Sequence, residues 1–344
     1  MVSPVTYYPK AEHLFYNHPN LENVLILCDS ITRQACFPKL NLPKHIPVIV
    51  VNTGEESKSI DNLAFIWNQL LQLNANRSSI LVNLGGGVIS DLGGMAAATF
   101  HRGMRCINIP TTLMGMVDAA HGGKTGINLQ QYKNYLGTFS MPEAVWICPD
   151  FLETLPPEEL TSGFAEMLKH GLIADALYFE KLNKLELKNV WKNKEMVLDL
   201  IKTSVTIKKR FVNLDPYDKG VRQVLNFGHT VGHGFESFFM NNPISHGQCV
   251  AAGMLCEAYI SRQKNLLNAT DFETIKSAID QHYKRLIYYK KDVDALINIL
   301  MKDKKNQAQG IRCVLLSSIG KAEFGQSIDR KEVENALEYY ITNS

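Results

Sequence analysis

SILVNLGGGVISDLGGMAAATF (79–100) carries three signals in one run. SILVNL (79–84) is an apolar stretch of strand length. Gly85, Gly86 and Gly87 end it, and a segment rich in alanine and other small residues opens a helix. A strand, a glycine turn and a helix in that order begin a parallel α/β unit. Glycine lets backbone N–H groups approach a phosphate, and a helix N-terminus adds positive potential. The match to GxGxxG is incomplete. Ser90 holds the third position, and the acidic residue expected about 20 positions later is missing. The loop alone fits either a dinucleotide phosphate or a tight strand-to-helix turn. Asp91 fits either a ligand contact or a cap.

The surrounding sequence repeats the alternation. NVLILC (23–28) runs into Asp29 and Ser30, and IPVIVV (46–51) runs into Asn-Thr-Gly. Residues 58–73 show helical apolar spacing, and RCINIP (105–110) and AVWICP (144–149) complete the strands. Apolar strands separated by helices predict a mostly parallel, two-sided sheet. After Pro156-Pro157 the texture changes. Segments 157–172, 175–187, 191–211, 222–240, 246–262, 268–282 and 292–303 carry helical spacing. RCVLLSS (312–318) and KAEF (321–324) read as a hairpin around Gly320. The domain boundary is placed near 150.

The chain has 344 residues, with 36 Lys+Arg against 34 Asp+Glu, a net charge of +2 and 45% hydrophobic residues. That composition argues against disorder and against a strongly basic nucleic-acid protein. No apolar run approaches a membrane span. The first residues, MVSPVTYYPKAEHLFY, lack a basic region followed by an apolar core, so no secretory signal is expected. The 7 cysteines are scattered and form no CxxC, which suits a reducing cytosol.

Strand ends of a parallel sheet offer a binding crevice, and two segments fall there. TGEESK (53–58) offers Glu55 to a ribose hydroxyl and Lys58 to a phosphate; alone it reads as a solvated helix start. IPTT (109–112) offers the hydroxyls of Thr111 and Thr112; alone it reads as a helix N-cap. HGGKTGIN (121–128) and YKN (132–134) have no apolar periodicity and read as a loop. The GxxxxGK spacing of a P-loop is absent. Lys124, Lys133 and Asn134 make a candidate anion site, against plain solvation.

NFGHTVGHGFES (226–237) puts His229 and His233 four apart on one helical face. SHGQ (245–248) brings His246, and FAEMLKH (164–170) brings Glu166 and Lys169 on one face with His170 beside them. A carboxylate and two or three imidazoles from separate helices suit Zn²⁺ with an open position. Spacing favours both His229 and His233 as ligands.

Taken in order, six stretches resemble the 3-dehydroquinate synthase family from about residue 25 to 320. They are GGGVISDLGGMAAATFHRG, IPTTLMGMVDAAHGGKTGIN, YKNYLGTF, TLPPEELTSGFAEMLKHG, KGVRQVLNFGHTVGHGFE and SHGQ. The resemblance implies an α/β N-terminal Rossmann-like domain, 1–150, that binds NAD⁺. It implies a mainly α-helical C-terminal domain, 151–344, that holds metal and substrate. The family's active site lies in the cleft between its domains, and its members are usually cytoplasmic homodimers. By resemblance, Glu166, His229 and His246 hold Zn²⁺, with Co²⁺ as a substitute, and His233 faces the substrate phosphate instead. NAD⁺ contacts fall on Asp29, Glu55, Lys58, Gly86, Gly87, Asp91, Thr111, Thr112, Asp118, Lys124, Lys133, Thr154 and Glu159. Substrate contacts fall on Lys124, Asn134, Lys169, Lys208, Arg222, Asn226 and His233. Arg102 enters from the neighbouring subunit, and DKKN (303–306) adds Lys304 or Lys305.

The family's substrate is the sugar phosphate 3-deoxy-D-arabino-heptulosonate 7-phosphate, and its reaction is a lyase step of the shikimate pathway. NAD⁺ transiently oxidises the C5 hydroxyl, which acidifies the C6 proton. Phosphate leaves, the hydride returns, the ring opens and an aldol step closes the carbocycle. The resemblance gives Lys124, Arg222, His233 and a DKKN lysine the charge of the leaving phosphate. It gives Lys169, Lys208 and Asn134 the substrate carboxylate and hydroxyls. The phosphate itself serves as base.

Two departures stand out. The family's Asp-Ser-Ser-Val is Asp118-Ala119-Ala120-His121 here, and its His-Gly-Glu is His246-Gly247-Gln248. If the family's Glu supports the metal from behind, Gln248 lowers metal affinity. Two rivals remain: a related sugar-phosphate cyclase with another substrate, and a glycerol dehydrogenase-like oxidoreductase, which accumulates NADH.

Overall fold

The computed structural model describes residues 2–16, 18, 23–130, 132–302 and 311–342. The chain forms two compact units, Met1–Leu160 with Trp191–Lys209, and Thr161–Val190 with Arg210–Ser344. The single boundary expected near 150 therefore falls at Leu160, and Trp191–Lys209 returns to the first unit. Ion pairs and buried apolar residues accompany the return: Val197, Leu200, Ile201 and Val205 are buried. Lys194 Nζ lies 2.5 Å from Asp150 Oδ1, and Lys208 Nζ lies 2.7 Å from Asp118 Oδ1. A reading by contiguous segments has no signal for such a crossing.

The first unit is built on six strands. They are β1 (Val5–Tyr7), β2 (Val24–Asp29), β3 (Val48–Val51), β4 (Ile80–Gly85), β5 (Arg105–Pro110) and β8 (Ala144–Ile147). The order is β1-β8-β5-β4-β2-β3, and every pairing is parallel. β1 has no sequence signal because it spans 3 residues; it docks through Val5 opposite Val145. β4 is buried along its whole length, as a central strand covered on both faces must be. Helices Ile60–Gln72 and Gly87–Thr99 bury Leu63, Ile66, Leu70, Leu92 and Ala96 with Leu25, Leu27 and Ile49. Each buried leucine or isoleucine stabilises the fold by about 1.5–3 kcal/mol relative to exposure. The second helix is made of small residues because its neighbours come close. A Cβ on Gly94 would lie 2.5 Å from Thr125 Cγ2, and one on Gly93 would overlap the Asn83 side chain.

That neighbour overturns the loop expected at 121–134. β6 (Lys124–Leu129) and β7 (Tyr132–Phe139) form an antiparallel hairpin, with Lys124 opposite Phe139 and Ile127 opposite Leu136. β7 is exposed at nearly every position, on both faces. Neither face is buried, so the sequence shows no apolar alternation.

The second unit is helical apart from one antiparallel hairpin, β9 (Ile311–Ser318) with β10 (Lys321–Ile328). β10 continues past the expected 324 because Gly325, at φ 70, absorbs a register shift. Helix Arg330–Thr342 closes the unit and lies beyond the segments read from sequence. The segment 222–240 is not one helix. A 3₁₀ turn, Val221–Asn226, ends before Gly228, and helix His229–Phe238 starts afresh. Gly228 sits at φ 78, where a side chain is strained, and its added Cβ would lie 2.9 Å from Met254 N. This close crossing with helix His246–Gln263 makes His229 a helix-initial residue.

Candidate active site

In the second unit, helix Pro157–Ala174 carries Glu166 and Lys169, each 1% exposed and ion-paired to each other. A carboxylate buried this deeply needs such compensation. His229 and His246 are the first residues of their helices. Nε2 of each lies 3.5 Å from Glu166 Oε1. One ligating atom from each of the three falls within 4.8 Å of the others.

Both imidazoles are oriented by their other nitrogen. His229 Nδ1 lies 3.1 Å from Phe227 O, which can only accept, so Nδ1 donates and Nε2 offers its lone pair. His246 Nδ1 lies 2.5 Å from Glu236 Oε1. Burial and the Lys169 ammonium hold the His229 pKa well below its usual range. Burial also opposes protonation of His246, but hydrogen bonds to Glu166 and Glu236 overcome it and raise that pKa to about 9. One carboxylate oxygen and two imidazole nitrogens are a donor set that fits catalytic zinc.

His233, one turn beyond His229, is exposed and stands outside this triad. Its ring centroid is 5.3 Å from that of His229 and 6.1 Å from that of His246. Around Glu166 the structure brings together His229 and His246, the set the resemblance implies, whereas His233, which spacing favours, groups with Glu236 and His246. Tertiary packing supplies the third donor atom from another helix. Arg222, 3% exposed, donates through Nη1 to Pro216 O at 2.8 Å, and Asn226 ends the 3₁₀ turn just before the His229 helix. Lys304 and Lys305 lie outside the described residues.

Gln248 is bonded outside this cluster. Its Nε2 donates to Lys284 O at 3.0 Å. The carboxylate behind His246 is Glu236, present in the quoted motif but given no role there. Glu257 was also without a signal, since it lies in the buried run of helix His246–Gln263. Its carboxylate accepts from Gly228 N at 2.7 Å and Val231 N at 3.2 Å, fixing the start of the His229 helix. Burial raises its pKa to about 8 against those hydrogen bonds.

In the first unit, Gly86 caps helix Gly87–Thr99 without any side-chain cap. A Cβ on Gly86 would lie 3.0 Å from Thr112 Cγ2. The bare helix start between strand ends suits a phosphate. Lys58, 3% exposed, donates to Asp91 Oδ2 at 2.8 Å, bonds Asn134 Oδ1 and lies 3.5 Å from Glu55 Oε1. Burial outweighs Lys58 and pushes the Asp91 pKa up to about 6. Asn128 joins the cluster, donating to Glu55 Oε1 at 3.0 Å and accepting from Asn134 N at 2.8 Å.

Other expected residues have local partners. Asp29 Oδ1 accepts from Thr32 N at 2.8 Å as the N-cap of Ser30–Ala35. Thr111 is buried at 1% exposure, and Thr112 Oγ1 accepts from Gly115 N at 3.0 Å. Thr154 Oγ1 donates to Phe151 O at 2.7 Å. Lys124, Lys133, Asn134, Glu159 and Arg102 are exposed. Arg102 has a left-handed backbone, φ 64. His121 is buried, with Nε2 2.8 Å from Met116 O, and burial with the Lys208 ammonium lowers its pKa to about 4.

Among the described residues, no helix is long and apolar enough to cross a membrane. A family model described as 3-dehydroquinate synthase N-terminal matches residues 48–162, and one described as 3-dehydroquinate synthase C-terminal matches 163–306. A 3-dehydroquinate synthase from Parabacteroides distasonis is 40% identical over 331 residues, covering 95% of this chain and 93% of the relative. One from Prochlorococcus marinus is 37% identical, covering 85% and 80%. Solved structures share the fold. A 2-epi-5-epi-valiolone synthase from Streptomyces hygroscopicus, solved with NAD⁺ and Zn²⁺ bound, superposes with TM-score 0.89 at 23% identity, covering 100% and 98% of the chains. A 2-deoxy-scyllo-inosose synthase with carbaglucose-6-phosphate, NAD⁺ and Co²⁺ gives 0.83 at 23%, covering 97% and 96%.

Proposed function

The chain belongs to the 3-dehydroquinate synthase family, and from that premise we propose that it converts 3-deoxy-D-arabino-heptulosonate 7-phosphate to 3-dehydroquinate and inorganic phosphate. The observation that carries this reading beyond family membership is the triad Glu166, His229 and His246, with Lys169 beside it. Those three residues would hold Zn²⁺ or Co²⁺; when bound, the metal supplies Lewis acidity and NAD⁺ supplies a reversible hydride acceptor.

The remaining work falls to the chain's own side chains. In the second unit, Lys169 neutralises Glu166 and orients the substrate's oxygens. Arg222 and His233 take the charge of the departing phosphate. In the first unit, Gly86, Gly87, Thr111 and Thr112 receive the dinucleotide at the helix start. Lys58, held by Asp91 and Glu55, supplies a fixed positive charge there. Asp118 holds Lys208, and Lys124 lies at the start of β6. Lys124 stabilises negative charge that grows as the carbon–oxygen bond to phosphate breaks. With NAD⁺ bound there as a reversible hydride acceptor, phosphate release would not consume it.

The reading extends to a cytoplasmic homodimer with Arg102 reaching the neighbouring subunit. Seven buried cysteines with no disulfide between them support a reducing compartment.

The test is purified protein with the heptulosonate phosphate, NAD⁺ and Zn²⁺, following phosphate and NADH absorbance together. Phosphate over many turnovers, without NADH build-up and lost on chelation, is expected. NADH accumulating with a polyol would favour an oxidoreductase. Phosphate from other sugar phosphates alone would favour another cyclase.

A further inference from the structure

Glu236 has no role in the family reading given above, yet its place is specific. His229, His233 and Glu236 follow i, i+4, i+7 spacing and share one helical face. The Glu236 side chain is 12% exposed, and its Oε1 lies 2.5 Å from Nδ1 of His246, on a different helix. An ionised carboxylate only accepts, so His246 Nδ1 donates to Glu236, and Nε2, which faces Glu166, is the nitrogen left to ligate once it has lost its proton. His229 gets the same service from the Phe227 carbonyl. Of the two supports, only Glu236 is a side chain, and so only it can be varied. Gln248, which replaces the residue usual in this family, is engaged elsewhere with Lys284 O.

We propose that Glu236 is the positioning residue of the metal centre: it fixes the tautomer and ring plane of His246 and thereby sets metal affinity, while Gln248 takes no part. This rests on Glu166, His229 and His246 holding the metal. The physical reason is general. A carboxylate behind a ligating imidazole raises its basicity and pre-orients it, so less freedom is lost on binding.

The experiment uses full-length zinc-free protein as wild type, E236Q, E236A, Q248A and Q248E. Zn²⁺ affinity is measured by competition with a chromophoric chelator, NAD⁺ affinity by fluorescence, folding by circular dichroism, and Co²⁺ coordination by visible absorption. E236A is expected to weaken Zn²⁺ binding about 10–100-fold. E236Q keeps an acceptor oxygen without the charge and falls between wild type and E236A. Both leave NAD⁺ affinity and the Co²⁺ coordination number unchanged, and the Gln248 variants bind Zn²⁺ as wild type does. Wild-type Zn²⁺ affinity in folded E236Q and E236A overturns the proposal. So does a Co²⁺ spectrum of altered coordination number in E236Q, which would make Glu236 a ligand. A wild type that binds no Zn²⁺ overturns the metal reading itself, a result distinct from binding that ignores position 236.

Discussion

The two units carry charge in opposite ways. In the first, the proposed cofactor and substrate groups already satisfy one another: Lys58 with Asp91 and Glu55, Lys208 with Asp118. In the second, one acid and two imidazoles crowd ligating atoms within 4.8 Å. The first is a distributed network, in which losing one contact leaves others. The second is a point site, in which each ligand is a third of the set. Function should therefore fail abruptly on one side and gradually on the other.

The sharpest test of that contrast is His229→Ala. A lost ligand should abolish metal retention and lower phosphate release by about 10³-fold, the equivalent of several kcal/mol of Lewis-acid stabilisation. NAD⁺ affinity, read by fluorescence titration, should be unchanged. A variant that keeps both metal and turnover would remove the point site from the mechanism. Lys124→Ala comes next. Phosphate release should fall about 10²–10³-fold, as for loss of a group aimed at developing charge, with a much smaller effect on NAD⁺ binding. Near-normal turnover would end the assignment of Lys124 to the leaving phosphate.

Lys58→Met probes the distributed side. It removes one charged hydrogen-bonding partner from the network, so the NAD⁺ Kd should rise about 10-fold, while kcat at saturating NAD⁺ changes little. A collapse of kcat instead would show that the network is not distributed.

The smallest effect concerns stability. The His121 pKa in the fold, about 4, is below the usual 6.5. The unfolded chain therefore binds that proton more readily. The stability contribution is complete above pH 6.5 and is lost as pH falls toward 4, with a slope of at most about 1.4 kcal/mol per pH unit. Between pH 7 and pH 5, urea unfolding should report a loss of about 2 kcal/mol that His121→Val abolishes. An identical pH dependence in the valine variant would mean that His121 does not titrate on unfolding.

Much of this was legible in the residues. Five of the six sheet strands announce themselves as short apolar runs, because strands buried on both faces need no alternation. Glu166 and Lys169 are legible as a pair through their spacing on one helix. The β6–β7 hairpin was not, since β7 is exposed on both faces and β6 buries only Gly126 and Ile127 in the middle of the strand. The break at Gly228 was not, because helical spacing continues across it. Glu257 was hidden in an apolar run, and its partners are backbone N–H groups that no side-chain pattern records.

Local chemistry thus identified the parallel sheet, the glycine turn and the supply of histidines and lysines, because periodicity and backbone freedom are properties of neighbouring residues. The folded chain brought His246 close to Glu166, put the Glu236 carboxylate against His246, and joined Trp191–Lys209 to the first unit. Each of these pairs residues on different secondary-structure elements. Such pairings depend on how helices cross and on where a glycine lets two backbones meet.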